Sequence, residues 1–242
     1  MTFEITEPIL VIGLGRVGAD LAEKAKKSLN SDLLLISHDQ KDLTGENSIK
    51  ISTKSVVNPS IHLIRGSTLE NLEEIEKNIS KYSTIILMSN LAGKAGIGIA
   101  PVVSKICKEQ EKNLLSFAIM PFKFEKDRIF QSGIALKRIR HDSHCTIVLD
   151  NDALLDSNPD LSHEQCNNIS NKAIESVISS LKSSEISEDV NILSTSKNAS
   201  DMEVSLKDSL RMLYEDAPPN SIKRSMLYVY GGSNVPIGVL NS

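Results

Sequence analysis

The chain has 242 residues, of which 40% are hydrophobic and 24% charged, so it can bury a core and is not wholly disordered. Its 27 Lys and Arg residues are set against 31 Asp and Glu residues, and this net charge of −4 argues against broad electrostatic binding of nucleic acid or of a membrane surface. Aromatic residues make up only 4% of the chain, which argues against a surface on which the bases of single-stranded nucleic acid could stack.

The cysteines and the apolar runs indicate the compartment. Cys107, Cys145 and Cys166 show no CxxC spacing and are odd in number, so we expect neither a disulfide framework nor a zinc knuckle. The first residues lack the basic region and apolar stretch of a signal peptide, and no run approaches the ~18 apolar residues that span a bilayer. We therefore expect a cytoplasmic protein that does not insert into a membrane.

Short apolar strands alternate with helical patterns along the chain. In chain order the sequence predicts strand 9–12, helix 19–29, strand 32–37, helix 58–81, strand 84–88, helix 100–110, strand 113–120, helix 130–140, strand 145–149, helix 163–181, helix 204–214 and strand 225–230. This alternation predicts an α/β fold, a Rossmann-like parallel sheet with helices on both faces. The composition shifts to Ser, Asn and Glu after residue 151, which predicts a change of domain: a first domain over 1–160, a long central helix over 161–183 and a small, incomplete α+β C-terminal domain over 184–242.

A first glycine turn follows the first long strand. Gly13, Gly15 and Gly18 form GxGxxG between a strand and a helix, with Arg16 inside the motif, and Asp39 ends the next strand. Such glycines let a phosphate approach the backbone amides, although a tight turn without a ligand is the alternative. This segment alone favours a nicotinamide-binding domain, and it resembles the regulatory domains of potassium transport systems.

A second glycine cluster follows strand 84–88. Gly93, Gly96 and Gly98, with Lys94 among them, precede the predicted helix 100–110 and predict a second anion cradle at a positive helix end. Two such glycine turns, each following a strand of the predicted sheet, could together bind one polyphosphate at the ends of these strands. The alternative is that these glycines only allow a loop to pass close to its neighbour.

Four segments resemble the FtsZ family of tubulin-like GTPases, in its archaeal form. AGKAGIGIAPVVSKICKEQEKNLLSFAIMPFKFE (92–125) resembles the family's GGGTGTG signature and the AAPVV and PF-x-FE segments that follow it. LDNDALL (149–155) resembles its PNDxLL loop, SNKAIESVISSL (170–181) the start of its central helix, and SMLYVYGGSNVP (225–236) a strand and turn of its C-terminal domain. The resemblance implies that GTP or GDP is bound, with or without Mg²⁺, on the tubulin/FtsZ nucleotide-binding fold.

The resemblance also assigns roles to residues. It implies that both glycine turns cradle phosphates, that Glu125 and Arg128 lie around the ribose and phosphates, and that Asn151 and Asn171 face the base. The aspartate that would accept hydrogen bonds from guanine is replaced by Lys172, which cannot accept them, so guanine selectivity is in doubt.

In this family, carboxylates of one subunit reach the nucleotide of the next subunit. The corresponding segment is 184–189, where an ungapped register places Ile186 and Asp189 at the two acidic positions. A one-residue shift would instead use Glu185 and Glu188, and a solvated acidic helix start is the alternative without catalysis. Because one carboxylate is missing in the ungapped register, we expect weak or lost hydrolysis.

Three functions remain open at this point. The first is a divergent FtsZ-like protein that binds guanine nucleotide and associates head to tail with copies of itself in a cytoskeletal or cell-division role. The second is a catalytically inactive partner that modulates FtsZ filaments, and the third is an NAD(H)-binding regulatory Rossmann domain. The five histidines show no metal-binding spacing, so we expect no protein-held metal.

Overall fold

The computed structural model describes residues 2–45, 47–55, 57–183, 186–197 and 201–227. Its strands are β1 (Thr2–Phe3), β2 (Ile9–Leu14), β3 (Asp32–Ser37), β4 (Ser48–Lys50), β5 (Thr84–Asn90), β6 (Asn113–Met120), β7 (Cys145–Asp150), β8 (Ile186–Ser187) and β9 (Asp189–Ile192). Its α-helices are α1 (Gly15–Leu29), α2 (Ile61–Glu70), α3 (Leu72–Ile79), α4 (Lys94–Glu109), α5 (Lys126–Asp142), α6 (Asn151–Ser157), α7 (His163–Ser180) and α8 (Met202–Asp216). Short 3-10 helices cover Gln40–Asp42 and Pro219–Ser221.

One parallel sheet organises the chain. Its strand order is β4-β3-β2-β5-β6-β7-β9, and every neighbouring pair in it is parallel. The continuous apolar runs of β2, β5 and β6 lie at its centre, where both faces are covered, which is why these strands do not alternate with polar residues. The predicted α/β fold is confirmed, and β3 and β6 have the predicted bounds.

The sheet separates two apolar layers. Along β2, Ile9 and Val11 pack on the side of α1 and α7, whereas Leu10 and Ile12 pack on the side of α2 to α5. Successive side chains of a strand point to opposite faces, so one short strand supplies both layers. Helices therefore cover both faces, as the sequence predicts.

The structure differs from the predicted elements in several places. Helices α1 and α5 each begin four residues earlier than predicted, and β4, α6, β8 and β9 were not predicted. The predicted helix 58–81 is two helices, because the backbone at Asn71 (φ −106°, ψ 18°) ends α2 and begins α3. Helix α4 begins at Lys94 rather than at Ala100, so two of the three glycines of the second cluster lie inside its first turns. Residues 225–227 of the predicted strand 225–230 form no strand, and 228–230 lie outside the described residues.

The segment after α7 returns to the main sheet. β8 pairs antiparallel with β1, and β9 pairs parallel with β7 and so extends the sheet by one strand. Helix α8 then packs against α6, and Met212 of α8 is fully buried.

Candidate functional site

The two glycine turns lie at the point where the strand order of the sheet reverses. β2 has β3 on one side and β5 on the other, and the helices that follow β2 and β5 leave to opposite faces. In open parallel sheets, a crevice forms at this point outside the carboxyl ends of the strands and commonly binds ligands. The carboxyl ends of β2 and β5 are in register there, with Leu14 opposite Ser89.

Close packing explains the glycines of the first turn. Gly15 has φ +64°, in the left-handed region that side chains disfavour. A Cβ on Gly13 would lie 2.7 Å from the Gly18 carbonyl oxygen, and one on Gly18 would lie 2.5 Å from the Met88 carbonyl oxygen. The turn therefore brings the start of α1 directly against β5.

In the second cluster the glycines have different roles. Gly93 is the N-cap of α4 with ordinary extended angles, and a Cβ on it would come no closer than 3.4 Å to the Asn90 carbonyl oxygen. A Cβ on Gly96 would lie 2.1 Å from that same oxygen, and one on Gly98 would lie 2.9 Å from Ile64 Cγ2. Gly96 and Gly98 thus allow close packing of α4, whereas at Gly93 a Cβ would make no contact closer than an ordinary van der Waals contact.

Helices α1 and α4 begin differently from the other α-helices that the structure describes. Neither has a capping side chain nor an acidic residue in its first turn. By contrast, α2, α6, α7 and α8 are capped by Ser60, Asp150, Ser162 and Asp201, and the uncapped α3 and α5 carry acids in their first turns. The first amides of α1 and α4 are therefore not capped by side chains, and both helices begin at one crevice, an arrangement suited to an anion.

The loop between β5 and α4 is held by α5. The Ser132 hydroxyl donates to the Leu91 carbonyl (2.6 Å), and Arg128 donates to the Ala92 carbonyl. The Asn90 side chain accepts from the Ala92 amide at 2.9 Å. Arg128, placed around the ribose and phosphates by the resemblance, thus positions the cradle loop in this structure, and Glu125 pairs with it at 3.4 Å.

Lys94 lies at the mouth of α4 and bridges to the loop before α2. Its ammonium donates to Asn58 Oδ1 at 2.5 Å and to the Pro59 carbonyl at 2.8 Å. Arg16, at the start of α1, is exposed and lies in the same turn as Gly15. These two cations lie at the two helix ends that meet in the crevice.

The segment after β3 closes one side of the crevice. Ser37 donates to Asp42 Oδ2 at 2.7 Å, and this carboxylate oxygen lies 3.9 Å from the Cβ position of Gly15. Asp39 begins the 3-10 helix and accepts from the Lys41 amide at 3.0 Å. Burial lowers the pKa of His38 below 6.5, with Lys94 acting in the same direction and Asp42 and Asp39 against it.

Asn151 and Asn171, the residues expected to face the base of the nucleotide, do not form one exposed surface. Asn151 is 1% exposed, and its side-chain oxygen accepts from Ser170 at 2.6 Å, which ties α6 to α7. Asn171 is partly buried on α7, and Lys172 is exposed beside it.

The acidic segment lies far from the crevice. Asp189, at the start of β9, pairs with Cys145 at the start of β7, and β8 pairs with β1. This is the amino edge of the sheet, about 20 Å from the carboxyl edge along the six residues of β7. Glu188 and Asp189 therefore cannot reach the crevice of their own chain, and Glu185 lies outside the described residues. Ile186 is buried at 7% exposure.

Sequence reasoning missed a carboxyl pair at the end of β7. The carboxyl groups of Asp150, at the end of β7, and Asp216, on α8, lie close enough to influence each other's ionisation. Burial, and then the charge of Asp150, raises the pKa of Asp216 to about 7, and burial also raises the pKa of Asp150. Lys123 lies beside them and pairs with Asp152 at 2.8 Å. No sequence signal links Asp150 to Asp216, because only the docking of α8 brings them together.

Three further findings concern metal ligands, membrane spans and cysteines. No group of three or more His, Cys, Asp or Glu side chains within the described ranges could hold a metal ion. Within the same ranges, no helix is long and apolar enough to cross a membrane. Cys107, Cys145 and Cys166 are buried free thiols.

The chain matches known proteins over the region that carries the crevice. Residues 8–159 match the model of the Tubulin/FtsZ family, GTPase domain. "Cell division protein FtsZ 2" of Halobacterium salinarum is 29% identical over 165 residues, which cover 63% of this chain and 41% of that protein. The protein of the same name in Haloferax volcanii is 36% identical over 77 residues, 32% of this chain and 19% of that protein. The chain thus spans less than half the length of these relatives.

Solved structures share the fold. A structure titled "FtsZ W319Y mutant, P1 (M. jannaschii)" has a TM-score of 0.68 at 17% identity and covers 84% of this chain and 71% of its own. "FtsZ dimer, empty (M. jannaschii)" has a TM-score of 0.64 at 19% identity over 74% of this chain and 57% of its own. These likenesses confirm the expected tubulin/FtsZ fold, and none of the comparisons supports the nicotinamide interpretation.

Proposed function

The chain belongs to the Tubulin/FtsZ family, and on that premise we propose that its crevice binds GTP or GDP. One observation carries the proposal: α1 and α4 are the two described α-helices that begin without a capping side chain or an early acid, and both begin at the switch point of the sheet. Unneutralised helix ends that converge on one crevice favour a phosphate chain. The ammonium of Lys94, hydrogen-bonded to Asn58 and to the Pro59 carbonyl, adds a positive charge at the start of α4.

Mg²⁺ would enter this site with the nucleotide. Mg²⁺ commonly keeps several waters and is bound partly by substrate phosphates, so it needs no cage of protein ligands. The described residues offer no such cage, which fits an ion carried by the phosphates. When bound, the ion would neutralise charge on the phosphate oxygens.

The nucleotide carried by the purified protein tests the proposal. Protein purified without added nucleotide is denatured, and the released small molecules are separated and identified by chromatography and mass spectrometry. We expect GDP or GTP close to one per chain. Release of NAD(H) instead would overturn the proposal, and an empty protein that also fails to bind added GDP would favour an inactive partner protein.

We propose further that copies of the chain associate head to tail in a cytoskeletal or cell-division role. The cradle lies at the carboxyl edge of the sheet and Glu188 and Asp189 at the amino edge, so these acids can approach a nucleotide only on another subunit. Sedimentation velocity with and without GTP tests this, because nucleotide-dependent growth of larger species is the expected outcome. A sharp monomer boundary at all concentrations would contradict it.

A second function is favoured by Ile186. Its side chain is buried where the ungapped register expects a carboxylate, and Glu188 and Asp189 are the acids left in the described part of that segment. A chain with weak or lost hydrolysis could modulate filaments of an active FtsZ-like partner. Co-sedimentation with such a partner, combined with its GTPase rate, distinguishes this role from self-association.

We propose a nucleotide-binding domain over 1–160, a central helix over 161–183 and a small C-terminal domain over 184–242. Strand β9 of the last part pairs with β7 of the first, so the two parts share a sheet. We place the protein in the cytoplasm, where guanine nucleotides are available and where buried free cysteines stay reduced.

A further inference from the structure

His38 is a polar side chain of the crevice that has no partner of its own. It directly follows β3, between the buried Ser37 and the exposed Asp39. Its Nδ1 atom is buried and makes no hydrogen bond within the described structure. A buried polar atom without a partner is unfavourable, and in native proteins it often marks a place where a ligand or ion completes the bonding.

The sheet register places His38 at the edge where the first glycine turn begins. β3 pairs in parallel with β2, with Ile36 opposite Leu14, and His38 follows two residues after Ile36. Asp42, in the same segment, has its carboxylate 3.9 Å from the Cβ position of Gly15, so this segment packs against the first turn. His38 therefore lies at the carboxyl edge of the sheet, in the segment that closes one side of the crevice.

Without ligand, these surroundings keep the imidazole neutral at pH 7. Burial is the largest cause and lowers the pKa of His38, and Lys94 lowers it further, against Asp42 and Asp39. A bound polyphosphate adds several negative charges and offsets the field of Lys94. An opposite charge within a few ångströms favours the protonated imidazole, which can donate from both ring nitrogens.

We propose that His38 contacts the phosphates of the bound nucleotide and takes up one proton from the solvent as the nucleotide binds. This inference rests on the proposed function, because it needs a nucleotide in the crevice. It makes affinity depend on pH, with tighter binding as the pH falls toward 6.

Calorimetric titration with GDP in buffers of different ionisation enthalpy measures this uptake. The slope of observed heat against buffer ionisation enthalpy gives the protons taken up per nucleotide. A terminal phosphate titrates near pH 6 itself, so the readout is the difference between the unsubstituted protein and His38→Gln. His141→Gln is the matched control, since His141 is exposed on α5, near the start of β7.

We expect a positive slope at pH 7 for the unsubstituted protein and for His141→Gln, and a clearly smaller one for His38→Gln. The ratio of the dissociation constants, His38→Gln over unsubstituted, should grow by up to about tenfold per pH unit as the pH falls from 8 to 6. Equal slopes with GDP bound in both proteins would overturn the role of His38 alone. An absence of binding heat in every buffer, with no GDP retained on equilibrium dialysis, would overturn the proposed function and this inference together.

If His38→Gln does not fold, the protonation of His38 can still be measured in the unsubstituted protein. Its five histidine rings can be titrated by NMR with and without GDP, after four are assigned by single substitution. We expect the His38 ring to titrate at higher pH when GDP is bound. An unchanged titration would contradict the inference.

Discussion

Gly15 and Ala95 lie at the closest approach of the two helices that line the crevice. A Cβ on Gly15 would come within 2.9 Å of Ala95 Cβ, and Gly15 already has φ +64°. The starts of α1 and α4 are therefore in direct contact, and their free amides bound a single space. One phosphate chain can be reached by both helix ends without movement of either.

Gly96→Ala should destabilise the protein by about 1–3 kcal/mol, because the added methyl group would lie 2.1 Å from the Asn90 carbonyl oxygen. Gly133→Ala is the matched control, since Gly133 lies in the exposed part of α5 with nothing within 4 Å of its Cβ position. Alanine should stabilise that helix by about 0.5–1 kcal/mol. Urea unfolding measures both. Equal unfolding midpoints would contradict the close packing of α4 on β5.

Stability should fall as the pH rises from about 4 to about 7 because of Asp216. Its folded pKa is raised to about 7 from an ordinary value of 3.8, so the folded state holds more protons than the unfolded state between these values. Stability present at low pH is therefore lost as the pH rises through the folded pKa. Asp216→Asn should flatten this part of the pH profile of the melting temperature. Asp208→Asn, elsewhere on α8, should leave it unchanged, and a profile unaffected by Asp216→Asn would contradict the carboxyl pair.

Hydrolysis of GTP should be slow and should hardly rise with protein concentration. Groups that stimulate NTPases are worth about 10³ or more in rate, and one of the two expected acidic positions is held by the buried Ile186. Ile186→Asp would restore a carboxylate in the ungapped register, but it also places a charge in the core between β8 and β1. Its folding must therefore be measured beside its activity.

Two conservative variants make the hydrolysis test sharper. Asp189 has φ +75°, which asparagine also tolerates, so Asp189→Asn removes the charge with little change to the backbone. It should abolish the residual turnover if the ungapped register holds, whereas Glu185→Ala should not change it. A robust turnover that Glu185→Ala destroys would show that the shifted register is correct.

Local sequence signals predicted the central strands and both glycine turns. Uninterrupted apolar runs such as 84–88 mark strands buried on both faces, and glycines directly after them mark tight strand-to-helix turns. The division of helix 58–81 at Asn71 was missed, because the apolar spacing continues across the break. The early start of α4 was missed because glycines disfavour helices, and packing against Asn90 overrides that preference.

Long-range contacts could not be predicted in the same way. Nothing in residues 186–192 indicates that they pair with β1 and β7, since short strands gain their partners only in the folded sheet. The bond between Arg128 and the Ala92 carbonyl, the burial of Asn151 and the pairing of Asp150 with Asp216 likewise depend on tertiary packing. Sequence reasoning therefore located the crevice but did not separate the residues that line it from those that hold it in shape.

The affinity for GDP of two variants at Gly93 tests the central claim most directly. Gly93 has ordinary backbone angles and room for a Cβ, so Gly93→Ala and Gly93→Asp should both fold. Alanine should change the affinity little, whereas aspartate places a negative charge at the mouth of α4 and should weaken binding by about tenfold or more beyond alanine. Isothermal titration of the folded variants measures this. Equal dissociation constants for Gly93→Ala and Gly93→Asp would contradict a phosphate at the start of α4.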